Sequence, residues 1–227
     1  MNRTLTPEWL DALPANTREA IDSRRDLRRL NAFLRQPSFV AEALLASFPS
    51  RAPERIVELG AGDGVFALRM ASRLAKRWRS GHLVLVDRRP AASDSLQRDF
   101  ERVGWTVEIA TADVFDWLEQ NDAEAAVANL FLHHFEGARL EQLLRLVANK
   151  AKAVVACEPR RSLLPFYLTH LLGLAGCNAV TRHDAPISVQ AGFRGDELTA
   201  LWPKSDWKVA EQEVGLFSHL FVAHRCK

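Results

Sequence analysis

The chain has 227 residues, 48% hydrophobic and 26% charged, with a formal net charge of +2. This is an ordinary globular composition, long enough for one domain with a sizeable core, and it supplies no bulk electrostatic argument for nucleic-acid binding. Cys157, Cys177 and Cys226 are odd in number and lack a C-x-x-C spacing, which argues against a disulfide framework or a cysteine zinc site and for a reducing, cytoplasmic setting. No signal-peptide core and no run of about 18 apolar residues is present, so no membrane span is expected.

Residues 1–50 read as a helical extension and 51–227 as the main domain. Thr6-Pro7-Glu8 is a helix start with proline in the first turn. Leu27, Leu30, Phe33 and Leu34 recur at helical spacing, as do Val40, Leu44 and Leu45, and Pro37 separates the two stripes. The basic cluster Arg24-Arg25-Asp26-Leu27-Arg28-Arg29 lies among Glu19 and Asp22 without interleaved aromatics. It reads as a solvated helix face, the alternative being a nucleic-acid-contacting helix.

From residue 54 strands and helices alternate. Strands are expected at 55–59, 82–87, 105–110, 124–128 and 151–157. Helical faces lie between them: Leu68, Ala71, Ala75 and Trp78; Leu96, Phe100 and Val103; Leu140, Leu143, Leu144 and Val147. Such alternation implies parallel βαβ units in a doubly wound sheet, with ligands outside the carboxyl ends of the strands. Residues 162–176 are apolar nearly all round and are expected to be buried or to line a pocket. Residues 177–191 read as irregular, 194–201 as a short helix, and 207–214 with 216–224 as an antiparallel hairpin turning at Gly215.

The first strand runs into Glu58-Leu59-Gly60-Ala61-Gly62-Asp63-Gly64. A strand that turns sharply into a helix, with glycines that let a ligand approach the backbone, needs such residues. Val65 stands where a dinucleotide fingerprint has its third glycine, and the Gly-Lys-Ser/Thr of a phosphate loop is absent. The stretch resembles motif I (E/D-x-G-x-G-x-G) of class I S-adenosylmethionine-dependent methyltransferases of the small-molecule type. The resemblance implies a Rossmann-like, mostly parallel seven-stranded sheet with an antiparallel last strand, and an N-terminal helical extension that caps the cofactor.

It also implies roles at three strand ends. Glu58, Gly60, Ala61, Gly62 and Gly64 would hold the methionine part. Asp87 would accept both ribose hydroxyls, as a Rossmann acid does, with Arg88 bordering the adenine. Asp87 is alternatively the start of the turn Arg88-Arg89-Pro90. Asp113 and the backbone of Val114 would meet the adenine edge, and Asp113 also suits an N-cap for the helix carrying Phe115, Trp117 and Leu118.

The fourth strand leads into Asn129-Leu130-Phe131-Leu132-His133-His134-Phe135, similar to the corresponding histidine-containing stretch of enzymes related to quinone biosynthesis. The Pro-Pro of amino-directed DNA methyltransferases is missing, which disfavours N-methylation of a base. Asn129 is placed to meet the methionine moiety or the acceptor. His133 and His134 are the candidate general bases, with His134 preferred, because adjacent residues on a regular element diverge and only one is expected to face the acceptor. No carboxylate–histidine spacing supports a metal, so none is expected. Glu158 is placed to orient a histidine or bind a hydroxyl, and Arg160 to bind an acidic group; a rim ion pair is the other reading. Arg182-His183-Asp184 and Arg194 are candidates for the substrate mouth. The expected reaction is methyl transfer from S-adenosylmethionine to a small aromatic or polyketide-like acceptor, on oxygen in preference to carbon. The alternatives are an RNA or protein methyltransferase, or a catalytically silent adenosylmethionine-binding protein. Oligomeric state is not readable from the sequence.

Overall fold

The computed structural model describes residues 1–203 and 206–226. Seven strands form one sheet: β1 Ile56–Leu59, β2 Gly81–Asp87, β3 Trp105–Thr111, β4 Ala125–Asn129, β5 Ala153–Pro159, β6 Trp207–Val214 and β7 Ser218–Arg225. Their order is β3-β2-β1-β4-β5-β7-β6. β1 to β5 run parallel, and β7 is antiparallel to both β5 and β6. The expected seven-stranded sheet with a reversed last strand is therefore present.

β1, β4 and β5 are buried along their whole length, as strands covered on both faces are. Alternate residues feed two cores. Val57, Leu59, Val84 and Val86 pack with α6 (Val114–Gln120) and α7 (Gly137–Lys150) on one face. Ile56, Leu83 and Leu85 pack with α3 (Gln36–Ser47), α4 (Val65–Leu74) and α5 (Leu96–Arg102) on the other. The chain leaves β1 towards β2 on one side and returns to β4 on the other, so the strand order reverses beside β1. A crevice opens at that switch point, beyond the strand ends.

The N-terminal region contributes α1 (Trp9–Ala12), α2 (Arg18–Phe33) and α3, with Pro37 in the first turn of α3 as the spacing suggests. α2 departs from expectation. Its buried residues are Ala20, Ser23 and Asp26 rather than the leucine stripe, and Phe33 is 81% exposed. The reason is α9 (Ala179–Ala191), a helix where irregular chain was expected. Ser23 hydrogen-bonds Thr181 at 3.0 Å, and the Asp26 carboxylate accepts from the Asn178 amide at 2.8 Å. Asn178 itself caps α9 by accepting from the Thr181 amide at 2.8 Å. Polar caps, not an apolar stripe, join these two helices.

The apolar stretch 162–176 also differs. Only Leu163–Thr169 is helical (α8), and Leu163, Leu164, Tyr167, Leu171 and Leu174 stand exposed on the surface. None of the five lines either of the two cavities at the strand ends, so the segment is neither the buried helix nor the pocket wall expected there. The final short helix, α10, spans Glu197–Leu201.

At the opposite end of the sheet Glu124 joins three segments. It accepts from Arg51 at 2.7 Å, from Lys152 at 2.7 Å and from the Glu54 amide at 2.7 Å. The Arg51 hydrogen bonds lead in holding its pKa at about 2, against the opposing effect of burial. An unfolded glutamate titrates near 4.3, so this bracket stabilises the fold above that pH and is lost as pH falls towards the folded value. Glu124→Gln is expected to lower the melting temperature at pH 7 by about 2–4 °C, its exposed partners screening the effect. Thermal melts of the two proteins should converge by about pH 2.

Candidate active site

A cavity of about 710 Å³ opens at the switch point, and a smaller one of about 160 Å³ adjoins it around the glycine loop. Gly60, Gly62, Leu130, Arg24, Leu27 and Leu10 line both. The loop is shaped by two constraints. Gly62 has φ 56°, and a Cβ there would meet no atom within 4 Å, so its bare backbone faces open space that a ligand can fill. A Cβ at Gly60 would strike the Phe131 ring. Gly64 reaches neither cavity; a side chain there would strike Leu85 and Leu96, so it serves helix–strand packing rather than ligand contact.

The remaining cofactor candidates converge. Asp87, Arg88, Asp113 and Val114 line the larger cavity; Glu58, Ala61 and Asn129 line the smaller. Asp87 accepts from the Gly62 amide at 2.8 Å and the Arg89 amide at 2.7 Å, so it sets the loop and its own turn while facing the cavity. Asp113 is the N-cap expected of it, accepting from the Phe115 amide at 2.9 Å. Glu58 Oε2 and Asn129 Oδ1 are buried with no hydrogen-bond partner. Burial, then the nearby Asp63 and Asp87, raise the Glu58 pKa well above the usual carboxylate range. Two buried orphan acceptors on one small cavity fit a ligand that brings N–H donors, such as an α-ammonium group.

The other end of the larger cavity carries the histidines. After Asn129 the chain takes a left-handed φ of 51° at Leu130 and enters a 3₁₀ turn, Leu132–His134. Both histidines line the cavity, with ring centroids 4.2 Å apart. The expectation that only one would face it assumed a longer regular element, and this is a single three-residue 3₁₀ turn. Glu158 takes the orienting role. Fully buried at the end of β5, it accepts from the Phe131 amide at 3.1 Å, the Leu132 amide at 2.9 Å and His133 Nδ1 at 2.8 Å.

The N-terminal region was expected to cap this site, but the residues that do so were not marked by sequence spacing. Residues 5–15 form a strap over the cavity. Arg3 donates to the carbonyls of Ala191 at 2.7 Å and Phe135 at 2.7 Å. Asp184 accepts from the Trp9 amide at 2.9 Å and the Leu10 amide at 3.0 Å, pinning α1, while His183 stacks on Trp9 with centroids 3.7 Å apart. These two residues thus hold the strap and do not line the cavity; Arg182 and Arg194 do not line it either. Arg160 forms an ion pair, but with Glu213 at 2.6 Å and not with Glu158, whose carboxylate is taken up by the Phe131 and Leu132 amides and His133. The basic cluster of α2 divides. Arg28 pairs with Asp63 of the glycine loop at 2.7 Å and Arg24 lines the cavity, whereas Arg25 and Arg29 pair with Asp22 and Asp26.

The strap delivers Glu8 to the histidines, its Oε1 lying 3.4 Å from His133 Nε2. Burial opposes charge on both partners, but the pairing prevails. The hydrogen bond to Glu158 and the adjacent Glu8 carboxylate raise the His133 pKa to about 9, and His133 with His134 and Ser188 hold Glu8 at about 2. His134, partly exposed, has its pKa lowered by burial and by the neighbouring His133.

Residues 56–153 match a family model described as a methyltransferase domain. No curated protein sequence matches the chain. Among solved structures, the plantazolicin methyltransferase BpumL with a monoazolic desmethylPZN analogue and SAH is similar at 12% identity, covering 96% of this chain and 93% of that one, with a TM-score of 0.65. An O-methyltransferase family protein from Burkholderia thailandensis is similar at 16% identity over 93% and 64% of the two chains, with a TM-score of 0.58. The N-methyltransferase NodS from Bradyrhizobium japonicum is similar at 13% identity over 85% and 96%, with a TM-score of 0.51.

The strap hangs on Asp184. Asp184→Ala removes both acceptors of the first α1 amides. Hydrogen exchange over residues 5–15 is expected to speed up at least about tenfold, since each lost bond is of order 1 kcal/mol. Amides of β1 should keep their protection.

Proposed function

We propose that the protein, whose residues 56–153 match the methyltransferase-domain model, transfers a methyl group from S-adenosylmethionine to an oxygen of a small aromatic or polyketide-like acceptor. The observation that carries this reading is the one cavity with two unlike ends. Gly60, Gly62, Asp87 and Asp113 occupy one end and the histidine pair the other, so donor and acceptor would meet in a single enclosure. At about 710 Å³ it is of the size that holds drug-sized ligands.

The adenosine would lie along Asp87, Arg88, Asp113 and Val114. The methionine end would fill the smaller cavity, its α-ammonium meeting Glu58 and Asn129, whose orphan oxygens support that placement. Phe115, Phe131 and Phe135, with Leu5 and Leu13 from the strap, give the acceptor end apolar and aromatic walls. These walls, rather than the exposed 163–174 segment, support an aromatic acceptor. The inward-turned Arg24 and Arg28 weigh for a small acceptor over a nucleic acid, because half of the basic cluster is spent on the site itself.

In the reaction the acceptor hydroxyl gives up its proton, and its oxygen lone pair forms the new bond to the methyl carbon. The carbon–sulfur bond breaks with its electron pair left on sulfur, which changes from sulfonium to neutral thioether. His134, whose pKa is lowered by burial and by the neighbouring His133, is the group assigned to taking that proton, while His133, held in its charged form between Glu158 and Glu8, stands beside it. A dry, aligned enclosure favours this in-line, charge-dispersing step.

Asp87→Ala is expected to weaken adenosylmethionine binding at least about tenfold, the loss of two hydroxyl contacts of order 1 kcal/mol each. Calorimetry checks it, and unchanged affinity removes Asp87 from the site. His134→Ala should lower turnover on a panel of small phenols by about 10²-fold with cofactor affinity preserved. Wild-type turnover would take His134 out of the chemistry, and no transfer by the parent protein to any acceptor would favour the silent-binder reading. Glu58 gives a third check. Burial and the nearby Asp63 and Asp87 raise its pKa well above the usual carboxylate range, and a nearby ammonium favours its ionised form. Cofactor binding should therefore release a proton and tighten as pH rises. Binding heats that are the same in buffers of different ionisation enthalpy would count against that contact.

A further inference from the structure

We propose that Glu8, His133 and His134 bind a divalent transition-metal ion, represented by zinc, at the acceptor end of the cavity. One ligand atom of each residue lies within 4.8 Å of those of the other two. Two imidazoles and one carboxylate are the donor set of open zinc sites, which keep a further position for water or substrate. Tetrahedral zinc with bonds of about 2.0–2.1 Å holds its ligand atoms about 3.3 Å apart. His133 Nε2 and Glu8 Oε1 stand 3.4 Å apart, wide for a hydrogen bond and close to that spacing.

Two further observations point to a ligand here. His133 Nε2 is buried and has no hydrogen-bond partner. The opposite nitrogen, Nδ1, is tied to Glu158 at 2.8 Å, and Glu158 is itself fixed by the Phe131 and Leu132 amides. A carboxylate behind the imidazole is the arrangement that aims a metal-binding histidine and fixes its tautomer. Glu8 is positioned by the Ser188 hydroxyl, which donates to the same oxygen, Oε1, that faces His133. Asp11 adds a carboxylate at the rim, its Oδ2 lying 3.4 Å from His134 Nδ1. Glu8 and Glu158 flank His133 with negative charge. A second proton on the ring answers that charge in one way, and an ion shared by Nε2 and Glu8 answers it in another.

Binding of the ion stands on this geometry alone. Its role rests on the reaction proposed above: facing the cavity, it would polarise the acceptor hydroxyl, whose proton then leaves to water while both imidazoles serve as ligands.

The test uses the full chain stripped with chelator and titrated with zinc chloride in a calorimeter. One ion per chain is expected, with a Kd below about 10 μM. Glu8→Gln and His134→Ala should each weaken binding by at least about tenfold, with folding checked by circular dichroism. His82→Ala, on β2 away from the site, should leave it unchanged. X-ray absorption should report two imidazole ligands. Failure of the folded protein to bind zinc at 100 μM, or an affinity that neither site variant alters, overturns the proposal. Methyl transfer by metal-free protein would keep the proposed reaction and leave the histidines acting directly, which also overturns the ion's role. Zinc bound with no acceptor methylated keeps the site and sinks the reaction instead.

Discussion

The histidine end of the cavity depends on one buried carboxylate. Glu158 sits at the end of β5 and accepts from two consecutive amides of the neighbouring segment and from an imidazole. Those amides belong to a turn whose backbone has already left the sheet, so without Glu158 they would be buried donors with no acceptor, each costing about 1–3 kcal/mol. The same contacts decide where the chain goes after β4. The left-handed Leu130 is held by its amide hydrogen bond to the Cys157 carbonyl at 3.0 Å, and the 3₁₀ turn follows. Backbone satisfaction and the aim of the His133 ring are thus one set of bonds.

The second organising element is the N-terminal strap. The strand ends alone make an open crevice; Arg3, Glu8 and α1 turn it into an enclosure. Arg28 does the same on the cofactor side by pairing with Asp63. The helices before the sheet and α9 after it therefore act together, since α9 supplies Asp184 and Ser188 to the strap and receives the Asp26 cap from α2. Parts of the chain furthest apart in sequence meet over the region where the two substrates would react.

The glycine loop, Asp87, Asp113 and the seven strands were legible in the sequence because each is a local signal. An apolar run, a turn residue and an acid at a strand end carry their meaning within a few positions. Glu8 was not legible. Nothing near it in sequence marks it as a partner of His133, and only tertiary packing brings the two together. The α9 helix was missed for a related reason, since its stabilising contacts come from Asp26 and Ser23 on another element. The segment 163–174 misled in the opposite direction. Its composition is that of a buried helix, yet it lies outside both cores, with Leu174 88% exposed. Hydrophobicity states a preference for burial, and the fold need not grant it.

The contact between Gly60 and Phe131 ties the two ends of the cavity together. The ring occupies the volume that any β-carbon at position 60 would need. Phe131 also lines the cavity next to the histidines, so the cofactor loop and the acceptor wall share one small piece of space. Evolution and protein engineering therefore cannot treat them as separate modules. Gly60 is also held at φ 71°, so a smaller residue at 131 would free the space without freeing position 60 from glycine. A change of shape made at 131 is therefore felt directly by the packing of the loop.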